Sequence, residues 1–179
     1  MAGTAVNMGG DDLYVNDIYV GSTNPSNTTG VTLNRETTLA AGATKTLATT
    51  DANKTVLLDT AAGSVVTLPA ATGTGNKYKF LVTTLATSNS HIIYTDGGNS
   101  GSGTGVFKGI IFGVRVDSGN AVLGFASSSN DTITLNRTTT GSVTLGEWIE
   151  VIDIAANVWH VRGFLSATGG AFATPFSTT

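Results

Sequence analysis

The sequence predicts an all-β fold, and three observations carry that prediction. Apolar residues recur with a period of two, the alternating runs are crowded with Thr, Val and Ile, and turn-forming residues separate the runs. The separations are mostly in the range of roughly 8 to 15 residues, the rhythm of a sandwich or barrel. Branched Cβ atoms suit a pleated strand and resist a helix. No window of a dozen residues keeps apolar side chains at i, i+3, i+4 and i+7. The nearest, Leu39 to Leu47, is interrupted by Gly42 and by Thr and Lys.

Taken in order, the first strand run is Asp12–Val20, followed by Val31–Asn34, Ser64–Leu68 and Lys77–Thr83. His91–Thr95, Asp131–Asn136, Glu147–Ile152 and Val158–Leu165 complete the set. Turn signals stand between them at Asn24-Pro25, Ala41-Gly42, Asp51-Ala52-Asn53, Ala62-Gly63, Gly73–Asn76, Asp117–Asn120 and Ala155–Asn157. The polar stretch Gly21–Gly30 reads as a linker, which divides the chain into an arm and linker, 1–30, and a β domain, 31–179. A second stretch, Asp96–Gly105, reads as a long flexible loop between strands. One short echo pairs Val31–Thr38 with Ile133–Thr140. It fits either coincidence in a Thr-rich strand protein or a duplicated sheet, and eight residues do not establish a solenoid.

Composition narrows the function classes. Charged residues are 12% of the chain, about half the usual share. Thr (31), Ser (14) and Asn (13) together make nearly a third of the 179 residues, so the polar part is almost entirely uncharged. Mean hydropathy of +0.16 argues against disorder, and a chain of this length buries enough surface for its own core. The net charge of −3 and nine scattered Lys and Arg residues argue against nucleic acid as a partner. The absence of Cys removes disulfides, thiolate metal sites and cysteine catalysis. The opening residues lack a signal-peptide pattern. The longest apolar runs, such as Gly109–Val114, fall far short of a membrane span.

The search for chemistry finds little. His91 and His160 have no partner at metal-ligand spacing, so neither a metal nor a cofactor is expected. Asp11 and Asp12 precede a strand, and Glu147 and Glu150 are three apart, on opposite faces of a strand. A glycosidase pair drawn from distant strands is not excluded by sequence. Asp96-Gly97-Gly98-Asn99 lacks the spacing and terminal Glu of a calcium loop. Gly73-Thr74-Gly75 and Gly103-Thr104-Gly105 are not followed by a helix or by G-K-[ST]. No G-x-S-x-G elbow occurs. No catalytic residue is expected.

The stretch Lys54–Gly73, with its core Asp59-Thr60-Ala61-Ala62-Gly63-Ser64-Val65-Val66-Thr67-Leu68-Pro69-Ala70, resembles a module of tailed-bacteriophage virion proteins. Tyr78-Lys79-Phe80 and Ile92–Thr95 correspond to its later strands. Asn130–Asn136, Gly146–Glu150 and Trp159–Gly163 look like phage head or fibre proteins. The resemblance spans roughly residues 54 to 176 and implies a small β-sandwich, usually trimeric, with no catalytic residues.

These readings together predict an antiparallel, jelly-roll-like β-sandwich with an N-terminal extended arm. The expected role is a non-enzymatic capsid decoration (cement) protein on the virion surface, made in the host cytoplasm. It would form a homotrimer whose partner is the major capsid protein, with no nucleic-acid or membrane partner. Leu13, Tyr14, Val15, Ile18 and Tyr19 are the candidate capsid contacts, as apolar or aromatic residues before a flexible linker that could add a strand to a neighbour. The alternative is a tail- or head-fibre domain that binds a host glycan, with Tyr78, Tyr94, Trp148 and Trp159 for stacking on sugars. A third possibility is a depolymerase fragment with convergent carboxylates.

Overall fold

Between Thr37 and Tyr94 the chain winds back and forth between two layers. The computed structural model describes residues 37–98, 103–117, 121–168 and 172–179. The proposed arm and linker, and with them Leu13, Tyr14, Val15, Ile18 and Tyr19, lie outside the described residues. Strands β1 (Thr37–Ala40), β3 (Lys54–Leu58) and β5 (Lys77–Val82) fall in one sheet. Their successors β2 (Thr44–Thr46), β4 (Val65–Thr67) and β6 (His91–Tyr94) fall in the other. Each layer therefore receives every second strand. The sequence supports this locally: Lys77–Val82 alternates half-buried and buried without exception, which is the signature of a strand with one face on a core.

The second half completes both sheets. Strands β7 (Val106–Arg115), β8 (Val122–Asn130), β10 (Trp148–Ala155) and β11 (Val158–Ala167) extend the first sheet to seven strands, in the order β1-β3-β5-β10-β11-β7-β8. Strands β9 (Thr132–Leu135) and β12 (Phe176–Ser177) bring the second to five, in the order β12-β9-β6-β4-β2. One 3-10 turn, Thr49–Asp51, interrupts the strands. The all-β prediction holds, and the arrangement is sandwich-like: one apolar cluster joins Val56, Phe80, Val151 and Val161 of the larger sheet to Val66, Ile93 and Ile133 of the smaller.

The antiparallel expectation needs correction, because both sheets are mixed. β1 runs parallel to β3, β3 to β5, β2 to β4 and β4 to β6. The physical reason lies in the winding. A strand that crosses to the opposite layer and returns re-enters its own sheet in the same direction, so the crossover that parallel pairing requires is itself a strand. β7 also runs parallel to β11, over ten matched positions. The antiparallel pairs are β5–β10, β10–β11, β7–β8, β6–β9 and β9–β12.

Turn chemistry read from the sequence recurs at the layer crossings and in the β10–β11 turn. Gly42 adopts φ +60, Asn53 and Asn157 adopt φ +62, and Gly73 and Gly75 adopt φ +84 and +76. At Gly63 (φ +97) a Cβ would sit 2.3 Å from the Ser90 carbonyl oxygen, so only glycine lets the two turns meet. Gly109 (φ +150) plays the same part inside the sheet, where a Cβ would lie 2.0 Å from the Val161 carbonyl oxygen. The Asp96–Gly105 stretch connects β6 to β7, and its ends are tied: Asp96 Oδ1 accepts from Gly105 N at 3.0 Å, and the Thr95 hydroxyl donates to the Gly105 carbonyl at 3.0 Å. In the echo, Thr37 and Thr38 lie in β1 while their counterparts Thr139 and Thr140 lie in the bend after β9, so the described positions are not equivalent.

Candidate functional site

Three buried acids sit on or beside β10, and each is committed to holding the fold. Asp153, 2% exposed, accepts hydrogen bonds from the backbone N–H groups of Thr72 (2.9 Å), Gly73 (2.6 Å) and Thr74 (3.1 Å). The Thr74 hydroxyl adds another at 2.8 Å. Burial alone would raise its pKa, but these bonds outweigh it and hold the carboxyl below its ordinary 3.8. At the other end of the strand, Glu147 accepts from the N–H groups of Ser142, Val143 and Thr144 and from the Ser166 hydroxyl. Glu150 takes Arg162, whose Nε lies at 2.7 Å and whose Nη2 lies at 2.5 Å. The two glutamates thus serve different partners, and both differ from those of Asp153.

His91 is fully buried, and its neighbours dictate its tautomer. Nδ1 accepts from the Ser64 backbone N–H at 2.9 Å, which requires an unprotonated nitrogen, while Nε2 lies 2.9 Å from the Thr84 carbonyl and donates to it. Burial pushes its pKa below the ordinary 6.5, only partly opposed by the Thr84 carbonyl and by Asp59 and Glu147. This is a structural histidine. Among the described residues no group of three or more His, Asp or Glu side chains could hold a metal ion.

The residues considered for sugar stacking are divided by the fold. Tyr78 and Trp159 are fully buried and pack edge-to-face with ring centroids 5.7 Å apart. The Tyr78 hydroxyl donates to the Ala48 carbonyl at 3.0 Å, and burial together with Asp51 and Asp153 pushes its pKa up to about 12. Tyr94 is 6% exposed, on a groove of about 580 Å³ on the outer side of the five-stranded sheet, lined also by Gly63, Asn89, Ser90 and Ile92. Trp148 is half-buried on the outer side of the seven-stranded sheet.

That outer side carries the feature the sequence search missed. In β7 the side chains of Phe107 and Ile111 point into the core, so the alternate residues Ile110 and Phe112 point out, 47% and 50% exposed. Strand register then aligns a transverse row: Leu81 beside Trp148, Trp148 beside Phe164, Phe164 beside Phe112, and Phe112 beside Gly124. Phe164 is 43% exposed and Val122, on the edge strand β8, 60%. Next to Phe164 lies a groove of about 190 Å³ lined by Val114, Val116, Thr144, Leu145 and Ser166. The neighbouring row on the same face, Lys79, Glu150, Arg162 and Ile110, places charge beside it through its first three members.

A signal for this face was present in the sequence. Gly109-Ile110-Ile111-Phe112-Gly113-Val114 is apolar on both alternations, a pattern that needs cover on both faces of the strand. Only one face receives that cover from the described chain. Comparison with known proteins finds no family model, no curated protein and no solved structure that matches this chain.

Proposed function

We propose that the chain is a non-enzymatic phage capsid decoration, or cement, protein, which assembles as a homotrimer on the head surface and bridges major capsid subunits. Two things support the reading. Residues 54–176 resemble virion modules, and the described body is all-β and sandwich-like, with two sheets. The observation that carries the reading is the apolar face around Phe112 and Phe164, an exposed contact surface on a two-sheet body. Burying such surface between copies, at ~25 cal/mol per Å², holds an assembly together with no chemical step.

The glycan-binding alternative has one favourable observation, the groove with Tyr94, Asn89 and Ser90 along its wall. It loses Tyr78 and Trp159, which are sealed in the core. Co-sedimentation with undecorated heads of the phage that encodes the chain tests the main reading. Saturable binding is expected, and residues 1–20 contribute the Leu13–Tyr19 contacts, so their deletion lowers occupancy. A protein that ignores heads and binds polysaccharide overturns it.

A further inference from the structure

The exposed aromatic face has an occupant that its own chemistry defines. Ile110, Phe112, Val116, Val122, Leu145 and Phe164 are 43–60% exposed and converge on the outer side of β7, β8 and β11 and the groove beside them. At these exposures they present on the order of 600 Å² of apolar surface, the upper end for a monomer's largest patch and close to the ~800 Å² per partner of a standard interface. Singly scattered apolar residues need no explanation, but a register-aligned row over three strands does. Leaving it in water forfeits stabilisation that a flat, apolar counterpart would recover, in the way two sheets stack in a sandwich.

We infer that this face binds the same face of a second copy of the chain. Two features favour self-association over a partner of different chemistry. First, the one charged side chain lining the groove, Glu147, is buried and held by the N–H groups of Ser142, Val143 and Thr144 and by the Ser166 hydroxyl, so bringing two copies together brings no exposed like charges into contact there. Its margin carries both signs, with Glu150 on one side of the Arg162 pair and Lys108 near by on β7. Second, one chain offers both projections and a receptacle: Phe112 and Leu145 stand 50% and 59% exposed, and the groove of about 190 Å³ beside Phe164 has room for one such side chain. Among the described residues β8 is an edge strand, paired with β7, and it flanks the patch. A same-face contact is two-fold and pairs two chains, so it is separate from the three-fold contact of the proposed homotrimer, and the inference rests on that reading only for its biological setting.

The test is light scattering with size-exclusion chromatography on the full chain at 5–100 µM, for wild type, Phe112→Lys and Phe164→Lys. Both substitutions replace exposed side chains, so circular dichroism and melting temperature should stay at wild-type values. In a face-to-face contact each places a charge in an apolar interface, often against its own copy. Wild type should run as a dimer of 18.2 kDa chains, and each variant should weaken that dimer at least 100-fold and run as a monomer. A wild type that stays monomeric at 100 µM overturns the inference, as do two folded variants that still assemble. Head co-sedimentation in parallel separates the two claims. A monomeric wild type that coats heads, and loses them with Phe112→Lys, assigns the face to a capsid subunit and overturns self-association alone. An assembled wild type that ignores heads keeps the face and overturns the capsid role.

Discussion

Replacing Asp153 with Asn keeps the shape of the side chain and removes one acceptor where none can be spared. Oδ1 accepts from the N–H groups of Thr72 and Gly73 at 2.9 and 2.6 Å, and Oδ2 accepts from the Thr74 N–H at 3.1 Å and its hydroxyl at 2.8 Å. An amide can offer its oxygen to one set only, and its NH₂ then faces donors. The Thr74 hydroxyl can rotate to another partner, but a backbone N–H cannot. These bonds are part-buried, so one N–H without its acceptor costs ~1–2 kcal/mol, and losing the charge from the surviving bonds adds to that. The sum is about 3 kcal/mol, which lowers the melting temperature by roughly 6–12 °C for a body of this size. Thermal melts followed by circular dichroism at pH 7 measure it directly. A second reading comes from acid. The folded-state pKa of Asp153 lies below 3.8, so its stabilisation is complete above pH ~4 and disappears as pH falls through the folded value. The gap between wild type and Asp153→Asn should therefore narrow from pH 4 to pH 2. A variant within about 2 °C of wild type at pH 7, or a gap that ignores acid, would refute the reasoning.

Three further outcomes follow from single contacts. His91 has a folded pKa below 6.5, so the unfolded chain binds the proton more readily. Stability should be full above pH 6.5 and fall as the medium is acidified below it, and His91→Asn should lose that dependence in urea titrations between pH 7 and 5. Gly109→Ala forces a Cβ against the Val161 carbonyl and should cost about 3 kcal/mol or more. Gly124→Ala meets nothing nearer than 3.5 Å and should stay near wild type in the same melts; equal losses would sink the steric argument. Trp159→Phe removes Nε1–H, a buried donor without a hydrogen-bond partner among the described residues, while opening a small cavity. The two effects oppose each other, so the urea midpoint should move by less than ~1.5 kcal/mol equivalent, whereas a loss above about 3 kcal/mol would mean the cavity dominates.

Local pattern was legible where a strand has one covered face. Lys77–Val82, His91–Tyr94, Thr132–Leu135, Trp148–Ala155 and Val158–Ala167 fall on runs that read as strands in the sequence, and they form strands. β1 and β2 were obscured because their residues are mainly Thr, Lys and Ala, with little contrast between faces. β8 was missed for a related reason: Val122–Asn130 ends in Ser-Ser-Ser-Asn and sits at a sheet edge, where burial imposes no alternation. The candidate contacts Leu13, Tyr14, Val15, Ile18 and Tyr19 lie outside the described residues, so the contact surface argued from structure is a different one, on β7 and β11.

Composition and short-range order determined the fold class, the turn positions and a polar complement that is almost wholly uncharged. Those properties depend on neighbours a few residues apart: a branched Cβ, a positive φ, an alternation of period two. Tertiary structure alone decided strand direction, because a return through the opposite layer makes parallel pairs from the same alternating segments. It also decided which aromatics are core and which are surface. Trp159 and Phe164 stand five apart on one strand, an odd spacing, so they face opposite sides of the sheet. The pleat sets them apart, but only the placement of the second sheet made one side the interior.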